Sequence, residues 1–236
     1  MKKIVLTLSL LLCGLALQAQ PDFSALRYGV RAGLGIGSLD ASYDDTDLQT
    51  MGGFSFEGGA FAELPLAKSL SVSAELDIEH TSVSDVAKSM AVVGSGLAGA
   101  QVLTTTKTQF PMNFIHIPVV ARFCFLKNGL LYLEAGPQFG FLVGKVNTHV
   151  ESEVTTIPSV GPSSVTKNTV DSDDTDNFKK AHVSFALGWG VNFKRFSLGV
   201  RVGLGLGDLQ AEGHEAPGCN RVSHTDARLG LRYYLK

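Results

Sequence analysis

The chain has 236 residues and a formal charge of −2; 44% are hydrophobic, 26 are glycine and only 18% are charged, where about 25% charged is usual. So much glycine with so little charge excludes a coiled coil, a helical bundle and a disordered tail. Without a basic stripe the chain has nothing to neutralise phosphates, so no nucleic-acid partner is expected.

Lys2 and Lys3 precede an apolar run from Ile4 to Leu17, and Leu17-Gln18-Ala19 puts a small residue at a cleavage position. Residues 1–19 therefore read as a signal peptide and 20–236 as one barrel domain. Cys13 falls in the discarded segment, behind a leucine too large for a lipoprotein site. No later stretch reaches the ~18 to 20 apolar residues of a membrane helix, so the mature chain spans a membrane as a closed barrel or not at all.

Strict period-two alternation then recurs in eight segments. Residues 26–37 set Tyr28, Val30, Leu34 and Ile36 against Arg27, Arg31 and four glycines. Residues 54–64 set Phe54, Phe56 and Leu64 against Glu57 and Glu63, with Phe61 as the exception on the polar side. Residues 69–80 set Leu70, Val72, Leu76 and Ile78 against Ser71, Ser73, Glu75, Asp77 and Glu79. Residues 112–125 oppose Ile115, Ile117 and Val119 to His116 and Arg122; residues 130–143 oppose Leu133, Phe139 and Phe141 to Tyr132, Glu134 and Gln138. In 182–193, Val183, Leu187 and Trp189 oppose Ser184 and glycines; in 196–207, Leu198, Val200 and Leu204 oppose Ser197, Arg201 and glycines. Residues 225–236 close the series, with Leu229, Leu231 and Tyr233 against Asp226, Arg228 and Arg232.

Brief turns follow the second, fourth and sixth segments, at 65–68, 126–129 and 194–195, and long polar loops follow the odd-numbered ones. This predicts an all-β fold, an eight-stranded antiparallel up-and-down transmembrane β-barrel with long extracellular loops and short periplasmic turns. A soluble ligand-binding barrel would also alternate. The polar face separates the two: it is Gly, Ser, Arg and carboxylate, the mixture that fills a narrow lumen, while the lysines beyond residue 19 fall in loops, turns or strand ends. Tyr28, Phe54, Phe193, Phe196 and Tyr233 stand near strand ends, where interface girdles belong.

Three stretches, Phe114-Ile115-His116-Ile117-Pro118-Val119-Val120, Leu131-Tyr132-Leu133-Glu134-Ala135-Gly136-Pro137-Gln138-Phe139-Gly140, and Lys179-Lys180 through Ala186-Leu187-Gly188-Trp189-Gly190, resemble the PorT-like family of small outer-membrane β-barrels. The resemblance covers essentially the mature chain. The family often has an acid where His116 stands and an Asp near His182, and here both positions depart. The end, Arg228-x-Gly230-x-x-Tyr233-x-Leu235, resembles the signal read by barrel-assembly machinery. The resemblance implies an outer-membrane location, an accessory role in secretion for some members, and no catalytic residue.

Eight strands enclose only enough room for side chains. Strand n faces strand n+4, so residue depth places Glu134 opposite Arg31 and Glu75 opposite Arg201, with Arg232 at that level. The expectation is a buried network of Arg31, Glu75, Glu134, Arg201 and Arg232, read as a plug more readily than as an ion-selective constriction.

Other candidates are weaker. Gly94-Ser95-Gly96-Leu97-Ala98-Gly99 imitates a dinucleotide fingerprint, but a β-like run and not a helix follows it. The apolar stretch Met90 to Leu103 reads as a loop covering the barrel mouth or docking a partner. Asp44, Asp45 and Asp47, and Asp171, Asp173, Asp174 and Asp176, form acidic loop clusters without the Gly and distal Glu of a calcium hand, and read as solvated charge. His214, Cys219 and His224 lack a fourth ligand, Cys124 and Cys219 belong to opposite membrane sides, and His80 beside Ser82 and Ser84 has no assured orienting acid. The sequence thus predicts a non-enzymatic outer-membrane protein with no metal or cofactor. Its expected partners are outer-membrane lipid and lipopolysaccharide, barrel-assembly machinery and an envelope protein reached through the loops. A narrow porin-like channel and an accessory of secretion or adhesion are the alternatives.

Overall fold

In the computed structural model, which describes residues 25–43, 49–94, 99–126, 129–211 and 219–236, the chain forms ten antiparallel strands. Eight of them close a ring: β1 (Arg27–Tyr43), β2 (Gln49–Pro65), β3 (Leu70–Val93), β4 (Ala100–Phe125), β5 (Leu131–Val143), β8 (Ala181–Asn192), β9 (Phe196–Gly205) and β10 (Cys219–Tyr234). Each pairs with the next, and β10 returns to β1 from Gly29↔Tyr234 up to Tyr43↔Cys219. Closure leaves the ring no unpaired edge, the condition for placing strands in hydrocarbon.

The two faces of this ring reverse the arrangement of a water-soluble protein. Val30, Leu34, Ile36, Leu76, Ile78, Leu133, Trp189, Leu229 and Leu231 lie exposed on the outside, whereas arginines and carboxylates are buried within. Water outside would make such an exterior costly; hydrocarbon outside removes the cost. The barrel therefore spans a membrane. Phe61, out of phase in the sequence, turns into the lumen, where Tyr234 meets it edge-on at 5.1 Å.

At one end the ring closes by tight turns. The β4–β5 turn uses positive φ at Leu126 (68°) and Gly129 (65°); glycine adopts that conformation freely and leucine does so at a cost. At the other end the strands outrun the ring. β2 leaves β3 at Gly52↔Ser84, but β3 and β4 stay paired to Val93↔Ala100. A further hairpin, β6 (Asn147–Pro158) and β7 (Ser164–Asp173), adds to the far part of β4 from Gln109↔His149 to Ala100↔Pro158. The outer parts of β3 and β4 with β6 and β7 thus form a sheet in the order β3-β4-β6-β7 projecting from one wall of the barrel.

Two expectations are corrected here. The Met90 to Leu103 stretch does not cover the mouth: Met90 and Leu103 pair across the β3–β4 hairpin, and residues 95–98 lie outside the described residues. The third loop is largely the β6–β7 hairpin. Apart from Gly99 and Thr148 the described residues of both segments are not buried, so little demands an in–out alternation from them and the period-two signal lapses. Residues 1–24, and with them the expected signal peptide, also lie outside the described residues.

An arginine at Leu229, which lies on the apolar exterior, should destabilise the barrel by ~2–4 kcal/mol. The same change at Val86, equally apolar but on the projecting sheet, should cost less than ~0.5 kcal/mol. Urea unfolding in lipid vesicles measures both, and equal costs would contradict the membrane assignment.

Candidate functional site

Seven carboxylates, on Glu57, Glu63, Glu75, Asp77, Glu79, Glu134 and Asp226, and five guanidiniums, on Arg31, Arg122, Arg201, Arg228 and Arg232, are buried in the lumen among the described residues. They stack in tiers. At the turn end, Glu63 accepts from Arg27 (2.5 Å), from the Ser71 hydroxyl (2.7 Å) and from the Tyr234 hydroxyl (2.9 Å). Arg122 donates to that tyrosine oxygen at 2.7 Å and lies 3.8 Å over the Tyr132 ring.

Glu75 is the hub of the next tier. Its two oxygens accept from Arg201 at 2.8 and 2.9 Å and from both Arg31 and Arg232. Arg201 also donates to Glu134 at 2.6 and 2.8 Å, and Arg122 and Arg232 each lie 3.3 Å from Glu134. Space for the Glu134 side chain comes from β8, where a Cβ on Gly188 would lie 2.9 Å from its carboxylate. The void left between Tyr132, Glu134, Arg201 and Arg232 is ≈10 Å³, room for about one water.

Further up, Arg31 reaches Glu57 and, at 2.9 Å, Asp77. Arg228 joins Glu57, Asp226 (2.6 Å) and Glu79 (3.3 Å). His116, His182 and His224 lie above this tier with Phe114 against all three rings. A cluster of Leu39, Val83, Met112, Phe114, Leu142, Val146 and Leu209 fills the mouth.

Arg31, Glu75, Glu134, Arg201 and Arg232 thus meet in one network, with Arg31 bonded to Glu75 and not to Glu134. Sequence reasoning left out Glu57, Glu63, Asp77, Glu79, Arg122, Asp226 and Arg228. All seven sit in the polar phase of their strands, so the signal was present. Pairing by strand n and n+4 missed them because these long side chains also bond to near neighbours, as in Arg228 to Asp226 on β10 itself.

Other expected sites change place. Asp44, Asp45, Asp47 and His214 lie outside the described residues. Asp171 and Asp173 are on strand β7 and not in a loop, and each is paired: Asp171 with His149 at 2.5 Å, Asp173 with Lys145 at 2.7 Å. Asp174 accepts from Ser172 (2.9 Å) and Asn177 (3.1 Å), and Asp176 lies in the short turn Thr175–Asn177. Hydrogen bonds from Lys145 and Thr175 pull the Asp173 carboxyl down to about 2. No group of three or more His, Cys, Asp or Glu among the described residues could hold a metal ion. His224 is buried in the lumen, so it cannot join Cys219 and His214 in a loop site. Cys124 pairs with Tyr132 near the turn end and Cys219 with Tyr43 at the opposite end, too far apart for a disulfide. His80 does not top a strand: β3 runs on to Val93, and the ring bonds Asn113 at 2.8 Å and packs on Phe56.

The projecting sheet carries the other candidate surface. All ten residues of β7 are exposed, and among the described residues β7 pairs only with β6, in continuous register from Ser164 to Asp173. Its outer edge therefore presents unpaired N–H and C=O groups to solvent.

A family profile described as outer membrane protein beta-barrel domain matches residues 18–211. Among solved structures, Ail of Yersinia pestis with the heparin analogue sucrose octasulfate aligns at 10% identity and TM-score 0.35, covering 89% of this chain and 99% of its own. Neisserial surface protein A aligns at 12% identity and TM-score 0.33, covering 87% and 96%. The translocator domain of autotransporter NalP from Neisseria meningitidis aligns at 10% identity and TM-score 0.27, covering 96% and 94%. No curated protein matches the chain.

Replacing Glu75 by Gln leaves three guanidiniums short of their shared anion and should cost ~3–5 kcal/mol. The midpoint of urea unfolding in vesicles measures it. On the exposed hairpin, hydrogen bonds from His149 to Asp171 and Glu151 raise the imidazole pKa. Their support is therefore full below the ordinary imidazole value of about 6.5 and fades as pH rises through the raised one. Amide protection in β6 and β7 should fall on that rise beyond the intrinsic rate change, and Asp171→Asn should flatten the dependence.

Proposed function

The chain belongs to the outer membrane protein beta-barrel domain family, and from that premise we propose that it is a non-conducting anchor whose projecting sheet engages another envelope or surface protein. The observation that carries the reading is the ten-residue exposed edge of β7. Natural edges are blunted by proline, bulges or inward charge. β7 has no proline and no break in its register, and its three charges are each paired: Lys167 with Glu153 at 2.9 Å, Asp171 with His149 at 2.5 Å and Asp173 with Lys145 at 2.7 Å. Such an edge suits an added strand, with main-chain hydrogen bonds supplying affinity and alternate side chains supplying selectivity.

The filled lumen supports anchoring over transport. A channel needs a continuous aqueous path, whereas here tiers of paired charge lie beneath an apolar mouth. No enzymatic role is assigned: His80 is engaged by the Asn113 amide and packs on the Phe56 ring.

The resemblance to PorT-like barrels in residues 114–120, 131–140 and 179–190 favours a secretion accessory as the kind of assembly served. Within this reading residues 1–19 are a cleaved export signal. Barrel-assembly machinery inserts the mature chain among lipid and lipopolysaccharide, and the acidic residues around Asp171 face outward.

Planar-bilayer recording should show no steady conductance. A steady conductance that Glu134→Gln abolishes would overturn the plug and restore the narrow channel. A photo-crosslinker at Asn168 should capture a discrete protein in intact envelope, and replacing residues 147–173 by a short turn should leave heat-modifiable barrel migration intact. Capture equal to that from a crosslinker at lipid-facing Leu229 would remove the edge as the contact surface.

A further inference from the structure

We propose that His116, His182 and His224 form an acid-released latch holding the apolar cap onto the ionic stack of the lumen. The inference rests on the filled lumen described above and is independent of any partner of the projecting sheet.

The three imidazoles come from β4, β8 and β10, with ring centroids 5.6, 6.3 and 6.0 Å apart. Phe114 lies 5.6, 5.2 and 5.0 Å from them and belongs to the aliphatic cap. The trio therefore occupies the boundary between a charged floor and an apolar ceiling. Glycine on β5 gives one ring its place, because a Cβ at Gly140 would lie 2.1 Å from the His182 ring.

Ring nitrogens are poorly served at this boundary. His116 Nδ1 meets the Gln138 amide at 2.7 Å. His116 Nε2, both nitrogens of His182 and His224 Nε2 are buried without a hydrogen-bond partner among the described residues.

The charged groups facing the trio are Glu79 on β3, Asp226 and Arg228 on β10, and Arg31 and Asp40 on β1. Behind Arg228 stands Glu57 on β2. Arg228 already holds Asp226 at 2.5 Å and stands 3.3 Å from Glu79. Glu79 in turn lies 3.5 Å from His116 Nε2, so one imidazolium has a counter-ion within reach. Two or three would place like charges 5.6 to 6.3 Å apart beneath phenyl and aliphatic groups that cannot solvate them. Neutral rings pack and charged rings do not.

The cap is the part able to yield. Its Val146 and Leu209 come from segments outside the ring, held by scattered bonds and not by a strand ladder: Asp174 N–H to Val146 O at 2.9 Å, Val146 N–H to Thr175 Oγ1 at 2.9 Å, Lys179 N–H to Leu209 O at 2.7 Å, Leu209 N–H to Val222 O at 2.7 Å, and, flanking them, Ala211 N–H to Asn177 O at 3.0 Å and Val222 N–H to Asp208 Oδ1 at 3.0 Å. A half-buried pair, Lys179 with Asp208, is long at 3.6 Å and adds little. Protonation favours whichever state wets the rings, so the cap stays closed above the ordinary imidazole value near 6.5 and opens as pH falls below it. The ionic stack beneath stays in place, so opening bares a pocket and not a pore.

The test is amide exchange by NMR on the full chain in micelles at about pH 7.5 and about pH 5, corrected for intrinsic rates. Protection at Asp174, Lys179 and Leu209 should fall about tenfold or more at the lower pH, because each proton taken up on opening adds up to tenfold per pH unit. Strand amides around Glu75 and Arg201 should keep theirs. The variant His116→Gln/His182→Gln/His224→Gln should lose the pH response. Unchanged cap protection in the native chain overturns the latch while leaving the plug intact. An equal loss at cap and strand amides also overturns it, since that reports global acid unfolding. A fall that persists in the triple variant assigns the response to other groups. If that variant fails to fold, the contrast between cap and strand amides in the native chain still decides.

Discussion

One carboxylate shared among three guanidiniums, Glu75 between Arg31, Arg201 and Arg232, is the interaction on which the barrel interior depends. Ring closure in lipid sends every second side chain inward, and an eight-stranded ring leaves an interior too narrow for bulk water. Inward charges must then compensate one another or not be there. Glu75 compensates across the lumen, linking β1, β9 and β10 to β3, so its bonds brace the wall that strand pairing alone closes. The tiers above and below extend the same solution, each guanidinium lying between carboxylates of different strands.

The exterior follows from the same closure with the opposite sign. A wall that satisfies its own backbone can face hydrocarbon with leucine, valine and tryptophan, and the apolar surface that would be a liability in water becomes its contact with lipid. The glycines belong to the inward phase for volume: Gly188 stands where Glu134 needs room, and Gly140 where His182 does. The composition that first set this chain apart, rich in glycine and poor in charge, is the sum of those two faces.

The ring was legible in the sequence because each of its strands separates two unlike environments. Every alternating segment corresponds to a ring strand, and Arg31, Glu75 and Arg201 fall in the inward phase that alternation assigns. The β6–β7 hairpin was not legible, since the phase opposite His149, Glu151 and Glu153 mixes Thr148 and Ser152 with Val150 and Val154, and the ten residues of β7 are exposed in both phases. Their β-branched content was the available signal, and it is weaker than alternation. Within the lumen, depth matching found residues facing across the barrel and missed side-by-side contacts such as Arg228 with Asp226. The histidine trio was hidden for another reason: His116, His182 and His224 are far apart in the chain, and barrel curvature brings them together.

The β3–β4 hairpin has a mechanical consequence. β4 runs unbroken for 26 residues from the outer sheet to the turn at the far side of the barrel, and β3 accompanies it for 24. A pull on the outer sheet along the strand direction loads their shared hydrogen bonds together in shear and does not peel them one at a time. The sheet is thus a lever rooted in the barrel wall, and tension taken up outside is delivered through one continuous hairpin to the opposite side of the membrane.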